Sequence, residues 1–177
     1  MLFRSREPRI VRNDAGVEVL RTRNGDETLD KAFDDVKFHV SRMDRQGVTT
    51  SVLSLVGGFC WIESQPVEVS LPLCKMVNDA MSRISQDYAG RFAVFGALPL
   101  TDMNAAAAEL ERIMTLPGVV GVQVPGNLFL TKKHGEDARP LMEAANRTKA
   151  IVFVHHGPRP GDAFPKIGGD TDNARRR

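Results

Sequence analysis

Short apolar segments alternate with longer segments of helical period along most of the chain, and this alternation limits the fold more than any other feature. The pattern predicts four strands, at Thr49–Val56, Phe92–Leu98, Val119–Val124 and Ala150–His155. It predicts helices before and between them, at Leu29–Gln46, Pro66–Tyr88, Asp102–Met114 and from about Asp137 onward. Strands and helices that alternate with short loops form parallel βα units with right-handed crossovers. The sequence therefore predicts an α/β fold.

The first residues predict a smaller, separate feature. Arg9–Arg12 and Gly16–Leu20 alternate in polarity on either side of Asn13-Asp14-Ala15, which has turn chemistry. We expect a small N-terminal β-hairpin there.

Several residues mark the ends and faces of the predicted helices. Gly47 is placed to end the first helix, while Thr101 and Asp137 are placed to cap the third and fourth. In the second helix the apolar residues recur at helical spacing, at Val69, Leu73, Val77, Met81 and Ile84. This pattern predicts that these five residues share one face.

Composition narrows the functional classes. The 177 residues are 42% hydrophobic and 26% charged, and no apolar run approaches the ~20 residues that a membrane span needs. Met1–Pro8 lacks the apolar core of a secretory signal, so we expect a soluble, cytoplasmic domain with Cys60 and Cys74 reduced and without a role. The net charge of +2 depends on the terminal Arg175–Arg177, and we expect no nucleic-acid partner.

The last predicted strand ends on a histidine, His155, followed by His156 and Gly157. In βα barrels the residues at the carboxyl ends of the strands carry the chemistry. His155 is therefore a candidate metal ligand. The alternative at this point is a histidine that is satisfied by hydrogen bonds beside a turn.

Other segments follow the strands at the same rim: Gly57–Trp61, Pro99, Pro125–Asn127 and His156. Trp61 could form one wall of a site for an apolar or aromatic substrate, although a lone tryptophan is commonly part of the packing. Gln123 and Asn127 are not taken as candidates, because polar residues at strand ends often only cap turns.

A set of motifs resembles one known family. The motifs, in chain order, are Met43–Val48, Val52–Leu55, Val77–Ala80, Arg91–Leu100, Gly118–Val124 and Val152–His155. Together they resemble the amidohydrolase-related family of the amidohydrolase superfamily, typified by aminocarboxymuconate-semialdehyde decarboxylase. The resemblance covers roughly residues 28–160, in the family's order and spacing.

This resemblance implies a metal-dependent (β/α)8 barrel that decarboxylates or hydrolyses small carboxylated or aromatic substrates, with zinc as the usual metal. The family's histidine at the end of the fifth strand binds the metal and maps onto His155, whereas His156 stands where most relatives have proline. Adjacent strand residues point to opposite faces, so only one of the two can be the ligand. The family pattern favours His155 and leaves His156 as a substrate contact at the rim.

The chain departs from the family in its other metal ligands. The His-x-His pair of the family's first strand has no counterpart: His39 lies in a predicted helix and His134 in a predicted loop. Asp162, Asp170 and Asp172 come too early in the order to be the family's late aspartate. A catalytic zinc site uses about three protein ligands, so the resemblance implies a chain that is incomplete at both ends.

We therefore expect a partial (β/α)8 barrel holding strands two to five, in place of the about 200 residues or more of a closed barrel. The expected division is an N-terminal extension with the hairpin (1–28), the partial barrel (29–160) and a Gly-rich, Arg-ended tail (161–177). Such a piece would expose strand edges and apolar faces. It should be poorly soluble or associate, for example as a homo-oligomer.

The functional hypothesis is a metal-dependent hydrolase or decarboxylase acting on a small carboxylated or aromatic substrate. Its alternative is a catalytically inactive remnant that serves as an assembly or small-ligand-binding module. A doubly wound binding protein ranks last, because Gly57-Gly58-Phe59 fits a phosphate-binding loop poorly.

Overall fold

The computed structural model describes residues 9–22, 25–28, 35–55, 62–63, 65–155 and 157. The chain divides into two compact units, residues 1–47 with 165–177, and residues 48–164. The division at residues 28 and 160 that the sequence suggested stays a prediction. Among the described helices, none is both long enough and apolar enough to cross a membrane.

The first unit contains a small antiparallel sheet of three strands in the order β1-β2-β3. These strands are β1 (Arg9–Arg12), β2 (Glu18–Thr22) and β3 (Gly25–Thr28). The turn between β1 and β2 is held by the Asn13 side chain, whose Oδ1 accepts hydrogen bonds from the N–H groups of Ala15 and Val17, each at 3.0 Å. The predicted hairpin is confirmed. β3 is an addition, since its polar sequence lacks the apolar alternation that marks a strand.

The same unit contains helix α1 (Val36–Gln46). Asp35 caps its start by accepting a hydrogen bond from the N–H of Phe38 at 3.0 Å. Gly47 ends it with a φ of 69°, in the left-handed region where glycine costs least. The predicted end is confirmed, and the predicted first turn at residues 29–34 lies outside the described residues.

The second unit is built on a parallel sheet of four strands in the sequential order β4-β5-β6-β7. The strands are β4 (Ser51–Leu53), β5 (Phe92–Gly96), β6 (Val119–Pro125) and β7 (Ile151–His155). The connecting helices are α2 (Val67–Asp87), α3 (Met103–Ile113), α4 (Lys132–Asp137) and α5 (Arg139–Thr148), with a 3-10 turn at Gly126–Phe129. This arrangement confirms the predicted α/β fold of a partial barrel.

Two predicted caps are wrong. Asp102, not Thr101, caps α3, because the Asp102 carboxylate accepts from the N–H groups of Asn104 and Ala105 at 2.9 and 3.0 Å. Asp137 is the last residue of α4, where it pairs with Lys133 at 2.9 Å. The fourth predicted helix corresponds to α5, whereas α4 is a further helix that the sequence did not predict, and His134 lies on α4 rather than in a loop.

One face of the parallel sheet, here called the helix face, is covered by the helices over the central strands β5 and β6, whereas Val154 on the same side of the edge strand β7 is 52% exposed. The strand residues Val94, Val122 and Val124 of the helix face are at most 1% exposed. They belong to one apolar cluster with Leu110 of α3 and Leu141 of α5. Alanines at Ala106 and Ala144 keep the facing surfaces of α3 and α5 small, which lets the two helices lie close together.

The opposite side, here called the open face, carries Phe95, Gln123, Phe153 and His155. Strand alternation places these residues opposite the helix-face valines, and the register aligns Gln123 with Phe153. Ile151 and Phe153 of β7 are 54% and 41% exposed. The predicted exposure of an apolar face and an edge strand is confirmed for these residues.

The buried stripe of helix α2 is shifted by about one residue from the predicted apolar row. Of the five predicted residues, Met81 is buried in the apolar cluster at 9% exposure and Val77 packs against that cluster. The other buried positions are small and polar, apart from one cysteine: Ser70, Cys74, Asn78, Ser82 and Ser85. Asn78, Ser82 and Ser85 form hydrogen bonds to backbone groups of the sheet and its loops, which explains why these three are tolerated there, whereas Ser70 Oγ has no partner among the described residues.

Candidate metal and substrate site

His155 is the last residue of β7 and lies beside Pro125, its partner on β6. The chain leaves the strand through Gly157, whose φ of 155° is in a region that side chains disfavour. The Gly157 carbonyl accepts a hydrogen bond from the Asn127 N–H at 3.3 Å. This bond ties the segment after His155 to the 3-10 turn that follows β6.

Three rings stand in a row on the open face. Phe95 and Phe153 are stacked, with ring centroids 5.3 Å apart and planes 9° from parallel. The His155 ring meets Phe153 edge-on, at 5.8 Å and 69°. No sequence pattern marks the two phenylalanines as site residues, although Phe153 lies two residues before His155 and therefore on the same face of the strand. The row forms an apolar floor beside the candidate ligand.

Gln123 is the polar residue beside this floor. Its Nε2 donates to the carbonyl of Leu55 at 3.1 Å and thereby joins β6 to the chain just after β4. The side chain is largely buried, at 9% exposure. The sequence suggests only a turn cap for Gln123, whereas in the structure its side chain forms a hydrogen bond across the carboxyl edge of the sheet.

Two predicted substrate contacts, Trp61 and His156, lie outside the described residues, and both stay predictions. Cys60 also lies outside them. Cys74 is fully buried and free. Burial first, and then the nearby carboxylates of Glu63 and Glu109, raise the pKa of the Cys74 thiol to about 12. A thiol held in its neutral form is a poor nucleophile and a poor metal ligand, so Cys74 is structural.

Glu63 is a second buried ionisable group near this edge. It is 7% exposed, and burial raises its pKa above the ordinary value of 4.5, against a smaller lowering effect of its own backbone N–H. Its backbone carbonyl accepts from the Leu100 N–H at 3.0 Å and so links the loop after β4 to the loop after β5.

The described residues fit one position of a metal site rather than a whole site. No three His, Cys, Asp or Glu side chains among them lie close enough together to hold a metal ion. An imidazole is a common donor for divalent transition metals, and His155 supplies one at the expected edge of the sheet. About three protein ligands are usual in a catalytic zinc site, so further donors would have to come from outside the described residues.

Comparison with known families gives a match over most of the second unit. The amidohydrolase family model matches residues 63–175. The matched region includes β5, β6, β7 and the helices between them, and therefore His155.

Curated relatives match over similar stretches. The chain is 25% identical over 121 residues to 2-amino-3-carboxymuconate-6-semialdehyde decarboxylase of Dictyostelium discoideum. This match covers 68% of this chain and 33% of that protein. The chain is also 32% identical over 102 residues to gamma-resorcylate decarboxylase of Rhodococcus jostii. This match covers 57% of this chain and 30% of that protein. The chain thus spans about a third of the length of these relatives.

Solved structures share the fold. A dihydroxybenzoic acid decarboxylase from Polaromonas, with bound manganese and the inhibitor 2-nitroresorcinol, superposes with a TM-score of 0.60 at 23% identity over 84% of this chain and 46% of that one. A manganese complex of 5-carboxyvanillate decarboxylase from Novosphingobium aromaticivorans superposes with a TM-score of 0.58 at 19% identity. The match covers 70% of this chain and 35% of that one. With its strand order, its covered helix face and a family match over more than half of its residues, the chain belongs to the amidohydrolase family.

Proposed function

We propose that the complete protein is a metal-dependent decarboxylase of small aromatic carboxylates, and that this chain supplies His155 as one ligand of the metal. The observation that carries the proposal is the position of His155. It ends β7 on the open face, in contact with the ring of Phe153, in a chain of the amidohydrolase family. The relatives named above are decarboxylases, which favours decarboxylation over hydrolysis.

The open face suits an aromatic substrate. Phe95 and Phe153 offer flat apolar surface beside His155, and aromatic rings gain from offset or edge-to-face contact with other rings. In the proposed reaction the bond between ring and carboxylate breaks, carbon dioxide leaves, and the electron pair stays on the ring carbon until a proton takes it. Apolar surface next to that carbon keeps water away from the electron pair.

The proposal includes a divalent metal. When bound, such an ion holds the oxygens of the substrate and draws electron density from them. Zinc is the metal that the resemblance implies, and manganese is the ion present in two similar structures. We keep Trp61 and His156 in the proposal as substrate contacts, and the cytoplasm as its location.

The test uses the full product of the gene that encodes this chain. The protein is loaded with Mn²⁺ or Zn²⁺ and incubated with 2,6-dihydroxybenzoate, and the formation of resorcinol is followed by chromatography. We expect resorcinol, faster with one metal than with the other. The variant His155→Ala should lose both bound metal and activity, while His156→Ala should keep its metal.

Other outcomes would replace parts of the proposal. If the loaded protein opens lactones but releases no carbon dioxide, it is a hydrolase. If it binds near-equimolar metal and turns over neither substrate class, the inactive binding module is the better description. Loss of metal in His156→Ala alone would move the ligand assignment from His155 to His156.

A further inference from the structure

Helix α2 carries an asparagine, Asn78, that is bonded to the backbone where β5 ends. The side chain is fully buried. Its Nδ2 donates to the Ala97 carbonyl at 2.9 Å, and its Oδ1 accepts from the Ala97 N–H at 2.8 Å. A carboxamide presents a donor and an acceptor side by side, so it can satisfy both backbone groups of one residue. Asn78 thus forms with Ala97 the two backbone hydrogen bonds that a neighbouring strand would otherwise form.

The orientation of the amide is fixed by a carboxylate. Asn78 Nδ2 also donates to Oε1 of Glu109 on α3, at 2.9 Å. The Glu109 side chain is fully buried and is paired with Arg112 through two hydrogen bonds of 2.8 Å, and Arg112 also reaches Asp79 at 2.8 Å. An ionised carboxylate only accepts hydrogen bonds, so the amide nitrogen must face Glu109. Paired and bonded in this way, the buried charge is compensated.

The sequence next to Ala97 makes room for this contact. Gly96 is the last residue of β5, and a Cβ there would collide with Ile113 and lie 3.2 Å from Asn78 Oδ1. Between Val94 and Phe95 the pairing of β5 with β6 also shifts in register. A shifted register weakens the ladder of strand hydrogen bonds locally. The hydrogen bonds of Asn78 therefore fix the end of β5 from the helix side, at the point where its pairing with β6 is weakest.

The position of this strand end is passed on to the open face. Phe95 immediately precedes Gly96 and points to the opposite side of the sheet. Its ring stacks on Phe153, and Phe153 contacts the ring of His155. A displacement of the end of β5 would move Phe95 and with it the row of rings.

We propose that Asn78, oriented by Glu109, is a positioning residue: it fixes the carboxyl end of β5 and thereby the Phe95–Phe153–His155 row on the other side of the sheet. Its importance for catalysis rests on the proposed function, whereas the positioning itself does not. If Asn78 contributed only to stability, its loss would lower the free energy of unfolding without changing the contacts among the rings of Phe95, Phe153 and His155.

Ser85 provides a matched control. It lies on the same helix, is 7% exposed, and its Oγ donates to the Phe92 carbonyl at 2.7 Å. Ser85 therefore bonds to Phe92 at the start of β5, whereas Asn78 bonds to Ala97 just after its end. Loss of either bond should lower stability, but only loss of the Asn78 bonds should disturb the row of rings.

The experiment compares Asn78→Ala, Asn78→Ser and Ser85→Ala in the metal-free 177-residue chain by nuclear magnetic resonance with labelled Phe and His. We expect the nuclear Overhauser contacts between Phe95 and Phe153, and between Phe153 and His155, to fall at least about twofold in Asn78→Ala. They should fall less in Asn78→Ser and stay unchanged in Ser85→Ala. Unchanged ring contacts in a folded Asn78→Ala, or an equal loss in Ser85→Ala, would overturn the proposal.

The unmodified chain gives a test that does not depend on variant folding. If Asn78 holds the strand end, the Ala97 amide must exchange with solvent as slowly as that of Val94 in the centre of β5. Fast exchange of Ala97 would overturn the proposal.

In the complete metal-loaded protein, Asn78→Ala should lower kcat about tenfold or more with a smaller change in KM, since small misplacements of a reacting group are costly. Ser85→Ala should change kcat less than Asn78→Ala does. Absence of decarboxylase activity in the unmodified protein would refute the proposed function and leave the ring measurements standing. If Asn78→Ala changed the contacts among the rings but left kcat unchanged, the proposed link between ring position and catalysis would be refuted.

Discussion

The two faces of the parallel sheet have similar residues and very different burial. On the helix face of the central strands Val94 and Val122 are 0% exposed, whereas on the open face of the edge strand β7 Ile151 is 54% and Phe153 41% exposed. Val154, on the helix side of β7, is 52% exposed as well, so position in the sheet matters together with the face. Since both sets are strongly apolar, residue type does not explain the difference. What differs is coverage: α3 and α5 cover the helix face of β5 and β6, and among the described residues β7 is an edge strand with no strand beyond it.

This contrast separates the part of the fold that is finished within these residues from the part that is not. The helix face has the burial of an ordinary domain core, which stabilises the sheet by removing apolar surface from water. The open face keeps its apolar surface exposed beside His155. A family chain that spans about a third of its relatives can therefore have one complete core and one uncovered face.

The largest effect is expected from a cavity on the helix face. Leu110 is fully buried in the cluster between α3 and the sheet, and Leu110→Ala should lower the free energy of unfolding by about 2–5 kcal/mol. Leu130, which is 58% exposed, is the control, and Leu130→Ala should change it by about 0.5 kcal/mol or less. Urea unfolding followed by circular dichroism measures both, and similar losses would contradict a covered helix face.

A smaller effect is expected where the helix face leaves no space. Gly96→Ala would push a methyl group against Ile113 and Asn78, and should cost about 1–3 kcal/mol. Gly135 on α4 has nothing within 4 Å of the position of its Cβ, so Gly135→Ala should instead stabilise the helix, by up to about 1 kcal/mol. Thermal unfolding of the two variants should shift in opposite directions. An unchanged or raised unfolding temperature of Gly96→Ala would show that Gly96 is not sterically required.

A pH-dependent effect is expected from Glu63. Burial raises the pKa of this carboxyl above 4.5, so between 4.5 and the raised value the folded chain holds a proton that the unfolded chain has lost. Its contribution to the free energy of unfolding therefore falls as the pH rises through this range. Glu63→Gln should lessen the loss of stability between pH 4.5 and pH 8 in urea titrations at a series of pH values. An unchanged pH profile would show that the carboxyl is solvated in the folded chain.

The smallest effect on stability is expected on the open face. Ile151→Thr should change the free energy of unfolding by about 0.5 kcal/mol, because more than half of the side chain is already exposed. It should also raise solubility by reducing the apolar surface of an edge strand. Val122→Thr places the same hydroxyl in the sealed core and should cost about 1–3 kcal/mol. Static light scattering and urea unfolding test the pair, and equal costs at the two positions would remove the distinction between the covered centre of the sheet and its exposed edge strand.

Predictions from the sequence were accurate where the signal is local. The hairpin turn at Asn13, the helix end at Gly47 and the strand ending at His155 depend on turn chemistry, a left-handed glycine and a short apolar run. Predictions failed where neighbours in space decide between near-equivalent options. Asp137 could have capped a helix, but the chain uses it to end one, and α2 buries its serines and Asn78 beside Met81 rather than the whole of its apolar row.

Periodicity, turn residues and right-handed crossovers act over short stretches of chain, so the order of the four parallel strands and the edge at which His155 lies could be derived from the sequence. The bonds of Asn78 to Ala97, its orientation by Glu109 and the stacking of Phe95 on Phe153 follow only from the folded arrangement. These contacts join residues from different elements, and no periodic pattern marks them. Their physical basis is the packing of α2 and α3 on the sheet, where buried polar groups must find partners wherever the fold brings them together.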